Sequence, residues 1–99
     1  MQFIIFAYDG TDEEALSRRM RVRQQHLENI AKVNEAGHVI CAGGLTGEDG
    51  NLMGSFLVMD FDSEEELKEY LKTEPYMTGD VWKEISIEDC NVVIGGPKK

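Results

Sequence analysis

The chain predicts an α+β fold, with its segments in the order βαββαβ and its strands forming a four-stranded antiparallel sheet. Three observations carry that prediction. Four short runs rich in Phe, Ile and Val alternate with segments of helical periodicity. Two sequences of capping type mark helix starts at Thr11 and Ser63. A turn sequence, Glu48-Asp-Gly-Asn51, joins the second and third apolar runs as a hairpin would.

Gln2 to Tyr8 is short and rich in Phe and Ile, which reads as a strand. Asp9-Gly10 breaks it, and Thr11-Asp-Glu-Glu14 matches a capping box for the next helix. Helical periodicity continues to Ala36, with Gly37 as the stop. That span is long for a small domain, so a bend near Arg21 to Gln25 is allowed for. His38 to Leu45 suits a second strand, and Leu52 to Phe61 a third, antiparallel to it across the turn. Ser63-Glu-Glu-Glu66 opens a second helix that runs through Leu67, Tyr70 and Leu71 to about Lys72, before Pro75 ends it. Tyr76 to Asp80 is expected to be a connection. Val81 to Ile94 carries the last strand, with alternation at Val81, Lys83, Ile85 and Ile87, and Gly95 to Lys99 is a frayed polar tail. This is the ferredoxin-like arrangement, read as a single domain over residues 1–99.

Two helices cover only one face of a four-stranded sheet. Yet the first strand has Phe3, Ile5 and Ala7 on one face and Ile4, Phe6 and Tyr8 on the other. The third is also apolar on both, with Phe56 and Val58 set against Leu57, Met59 and Phe61. A half-covered sheet would expose too much of this surface. The simplest cover is a second copy packed sheet to sheet, giving a dimeric α/β barrel, a homodimer through the sheet faces.

The 99 residues suffice for a small core, and 41% of them are hydrophobic. No run of about 20 apolar residues offers a membrane span. The opening M-Q-F-I-I-F-A lacks the basic start of a signal peptide, so a cytoplasmic location is expected. In that compartment Cys41 and Cys90 are expected to be reduced, and no Cys/His cluster suggests a metal. A formal net charge of −9 repels phosphate backbones and anionic membranes, which argues against nucleic acid and membrane partners. The charge is uneven, however: Arg18 to Arg23 holds four arginines, a basic spot that attracts a small anionic metabolite.

That spot lies in the stretch Arg19 to Val33. At about 100° per residue, Leu16, Met20, Val22, Leu27, Ile30 and Val33 form an apolar stripe, and Arg19, Arg23 and His26 fall on the same side of the helix. Cations there face the core or a cleft, where each needs a partner or a ligand anion. The structural alternative is an ion pair with Glu74, Asp60 or Asp62, or across a dimer interface. His38, at a strand start, reads as exposed.

The run R-x-x-x-R-x-x-H-L from Arg19 to Leu27, A-G-G at Ala42 to Gly44, G-S at Gly54-Ser55, the F-D-S-x-E-E helix start and E-P-Y at Glu74 to Tyr76 together resemble the YciI-like, or YCII-related, family. The resemblance covers nearly the whole chain. It implies the ferredoxin-like dimeric α/β barrel, a fold shared with muconolactone isomerases. The activity it implies is dehydrochlorination of a chlorinated hydroxyquinol by a His–Asp pair. Carried over by position, the histidine is His26, and the acid of the family's D-P-[YF] motif is here Glu74, one methylene longer. The family's loop between the second and third strands is also shorter here.

His26 suits a general base near neutrality, with the carboxylate of Glu74 on its other nitrogen fixing the tautomer. Arg19 and Arg23 offer planar two-pronged donors to an anionic enol, phenol or carboxylate, and Ser55 adds a hydroxyl. Two readings result. One is a lyase or isomerase working without a cofactor, with His26 and Glu74 as its catalytic pair. The other is a non-catalytic dimeric module that binds a metabolite or a protein.

Overall fold

The computed structural model describes residues 1–95. In chain order these form β1 (Gln2–Asp9), α1 (Ala15–Glu35), β2 (Val39–Thr46), β3 (Leu52–Asp60), α2 (Glu64–Leu71), α3 (Pro75–Thr78) and β4 (Trp82–Cys90). The strands make one antiparallel sheet in the order β2-β3-β1-β4, the ferredoxin-like topology. Two elements differ from expectation. The connection after Pro75 is the short helix α3, capped by Glu74, and β4 stops at Cys90 rather than Ile94. Apart from Gly95, the expected polar tail lies outside the described residues.

Strand alternation sets the two faces. Phe3, Ile5 and Ala7 of β1 pair with Met59, Leu57 and Ser55 of β3, and Ile5 and Ala7 also pair with Ile87 and Ile85 of β4. These side chains meet Leu67, Tyr70 and Leu71 of α2, Tyr76 of α3, and Val22, Ile30 and Val33 of α1 in the core. Asp9 continues the same alternation and is buried with them.

The helix starts follow local hydrogen bonding. The hydroxyl of Ser63 accepts from Glu66 N–H at 3.2 Å, as its capping sequence predicts. The Thr11–Glu14 box does not form: Glu14 caps α1 without a side-chain bond, and Asp12 instead accepts from Glu14 N–H and from Arg18. Arg18 holds the exposed Asp12 carboxyl down at about 2.

The buried stripe of α1 is also narrower than its sequence suggests. Leu16, Met20 and Leu27 are exposed, whereas Arg19 is buried and His26 half-buried. Arg19, Val22, His26, Ile30 and Val33 fall within an arc of about 80°, and the three exposed residues lie on its flank. The polar pair therefore sits inside the buried arc itself.

The opposite sheet face carries Ile4, Phe6 and Tyr8 of β1 beside Val58, Phe56 and Gly54 of β3. Its β4 edge is different, presenting Glu84, Ser86 and Glu88. No helix among the described residues is long and apolar enough to cross a membrane.

Candidate functional site

Glu74 occupies the corner between α2 and α3. Its carboxylate is fully buried, at 0% exposure, so it needs donors on every side. As the N-cap of α3 it accepts from Tyr76 N–H at 3.1 Å, and Tyr70 donates its hydroxyl to Oε2 at 2.9 Å. Oε1 also meets His26 Nδ1 at 2.5 Å. Burial, reinforced by the Glu74 carboxylate, pushes the Tyr70 phenol far above its ordinary range, so Tyr70 stays a donor. The extra methylene of Glu74 therefore does not prevent contact with His26.

The His26 ring is held flat. It stacks on Tyr76 with centroids 3.9 Å apart and an interplanar angle of 12°, and Trp82 meets it edge-on. Its Nδ1 is taken by Glu74, and Nε2 has no protein partner among the described residues.

Arg19 is the second anchored group. Its NH1 donates to both oxygens of Asp9, at 3.0 and 3.1 Å, and its NH2 donates to the Ser55 hydroxyl at 3.0 Å. The expected partners Glu74, Asp60 and Asp62 are not used, because Asp9 ends β1 directly opposite this turn of α1. Burial pushes the Asp9 carboxyl up, and the Arg19 guanidinium opposes that rise. The guanidinium also lies 4.6 Å from the centre of the Tyr76 ring. Burial likewise raises the Tyr76 phenol, opposed by Arg19 and Arg23.

Between α1 and the β2–β3 hairpin lies a cavity of about 190 Å³. Arg19, Arg23, His26, Ser55 and Tyr76 supply its polar wall. Ala42 and Gly44 of β2 form a wall almost without side chains, and a Cβ at Gly44 would lie 2.4 Å from the Leu52 side chain. No carboxylate among the described residues lines this cavity, despite the net charge of −9. Arg23 is exposed on its rim and has no ion pair among the described residues. Such a wall favours a small anion.

The model of the YCII-related domain family matches residues 1–91. The chain belongs to the YCII-related family. A member from Escherichia coli O6:H1, Protein YciI, is 27% identical over 94 residues, covering 89% of this chain and 94% of the relative. Among solved structures, the fold matches the 5-chloro-2-hydroxyhydroquinone dehydrochlorinase of Burkholderia phenoliruptrix in complex with 2,5-dihydroxybenzoquinone. That match has a TM-score of 0.81 at 21% identity, over 92% of this chain and 94% of the other. A Bacteriodes thetaiotaomicron protein assigned as an antibiotic biosynthesis monooxygenase aligns with a TM-score of 0.54 at 14% identity, over 99% and 95% of the two chains. At these identities the matches establish the ferredoxin-like α/β-barrel fold of this YCII-related chain.

Of the residues singled out from sequence, His26, Arg19, Arg23 and Ser55 line one cavity, and Glu74 stands directly behind His26. His38 is apart from them and is not free: Nδ1 bonds the Asp60 carbonyl at 2.8 Å and the ring stacks on Phe61. Sequence reasoning missed the supporting residues of this candidate site, namely Asp9, Tyr70, Tyr76 and Trp82. Asp9 was legible in principle, since it continues the inward alternation of Phe3, Ile5 and Ala7. Trp82 was not, because a register shift between Tyr8 and Asp9 brings it opposite Asp9.

Proposed function

We propose that this YCII-related protein is a small-molecule lyase or isomerase of dehydrochlorinase type, acting on a small anionic enol or phenol-type ring. The observation that carries the reading is the pairing of the fully buried Glu74 carboxylate with the half-buried His26, beside a cavity whose charged groups among the described residues are all cationic. The carboxylate on Nδ1 favours the tautomer with its proton there, leaving Nε2 as the base. In an elimination, Nε2 takes a proton from the substrate. The electrons released form the new double bond, and chloride departs with the pair of the carbon–chlorine bond. Glu74 stabilises the resulting imidazolium, and Arg23 and Ser55 attend the substrate oxygen. A ring substrate is suggested by the quinone-type ligand of the fold-related dehydrochlorinase.

The second reading, a non-catalytic dimeric module binding a metabolite or a protein, needs Arg19 and Arg23 but not a paired His26. The test is chloride release from 5-chloro-2-hydroxyhydroquinone. His26→Asn should lower turnover by about a hundredfold or more while near-UV circular dichroism stays unchanged. Equal chloride release by variant and wild type removes His26 as the base. Ligand binding without chloride release supports the module. As working context for either reading, we place the protein in the cytoplasm as a homodimer joined through its open sheet faces.

A further inference from the structure

A serine hydroxyl has two lone pairs and one proton to place. At Ser55 both lone pairs are engaged: Arg19 NH2 donates to Oγ at 3.0 Å and Trp82 Nε1 donates to it at 3.3 Å. Guanidinium and indole N–H groups only donate, so neither bond can reverse. Arg19 is itself fixed by the two oxygens of Asp9, and Ser55 is only 2% exposed. No acceptor for the Ser55 proton exists among the hydrogen bonds of the described residues, and Ser55 lines the cavity. Arg19 Nε adds a buried donor with no partner.

We propose that Ser55 is an obligate hydrogen-bond donor to the ligand. Its polarity is set by Arg19 and Trp82, and it selects an ionised ring oxygen over the protonated form. Arg19 is then a positioning residue that acts through Ser55, and Arg23 is the cation left to meet the ligand's charge. A donor backed by a guanidinium is more polarised than a lone hydroxyl and favours an oxyanion over the corresponding hydroxyl group. The inference deepens the proposed anion site and rests on it.

The probe is 4-nitrophenol, whose absorbance reports its own ionisation when bound. Wild-type protein should bind the phenolate more tightly than the phenol, lowering the apparent pKa of the bound probe. Ser55→Ala should weaken phenolate binding about tenfold, leave phenol binding nearly unchanged, and raise the bound probe's pKa by about one unit. Ser55→Thr, which keeps the hydroxyl, should restore most of the effect, with the fold of both variants checked by near-UV circular dichroism. If the wild type binds the phenolate and Ser55→Ala binds it equally well, the donor role is wrong and the anion site stands. If the wild type binds neither form, the anion site fails and this inference fails with it.

Discussion

The buried ionic groups behave differently from surface pairs, and the contrast decides which single changes matter. Arg18–Asp12 and Lys83–Asp80 lie on the surface, where such pairs contribute little. Asp9 and Arg19 have side chains only 3% and 4% exposed, so removing one strands the other in the interior. Asp9→Ala should therefore cost about 3–5 kcal/mol in urea unfolding. The double variant Asp9→Leu with Arg19→Met should unfold at denaturant concentrations closer to wild type, because no orphaned charge is left. A second consequence concerns alkaline pH. Tyr70 is raised in the folded state, so above about pH 10 the unfolded chain loses a phenolic proton that the folded chain retains. Stability is then fully present below pH 10 and falls as pH rises beyond it. Urea midpoints measured from pH 8 to 11 should show that fall, with a shallower slope in Tyr70→Phe, which has no proton there to lose.

At the scale of elements, α1 supplies Arg19 and His26 from positions two turns apart on one buried arc, and the α2–α3 corner supplies Tyr70, Glu74 and Tyr76. The site is therefore assembled by packing α1 against α3 over the β1–β3 pair. At Gly54 the two strands come close: a Cβ there would lie 2.4 Å from the Ala7 carbonyl oxygen. The obstacle is backbone, which cannot swing aside. Gly54→Ala should cost about 1–3 kcal/mol and shift the thermal midpoint downward, measurable by circular dichroism. Ser55 is the next residue on the strand, so the same variant should also loosen the hydroxyl that Arg19 and Trp82 hold.

For the whole molecule, the unanswered surface is the sheet face without helices. Ile4, Phe6, Phe56 and Val58 lie together there, with Glu84 and Glu88 along the β4 edge and Asp60 at the end of β3. An apolar patch rimmed by charge is the expected appearance of a self-association face. Phe6→Glu should convert the proposed dimer to monomer in multi-angle light scattering. A wild-type monomer at micromolar concentration would overturn the sheet-to-sheet packing.

The sequence by itself determined the order of the four strands and two longer helices, both faces of β1 and β3, the second helix cap and the set of cavity residues on α1, because each follows from local periodicity and local hydrogen bonding. It also marked Arg19 and His26 as out of place on a buried arc. The partners came from elsewhere in the chain. Asp9 meets Arg19 across 10 residues and Glu74 meets His26 across 48; the family resemblance pointed to Glu74, but no local rule ranks one acid above another at such separations. Tertiary structure made those choices. Burial demands that every charge be matched, and the sheet register and the α2–α3 corner decide which carboxylate arrives.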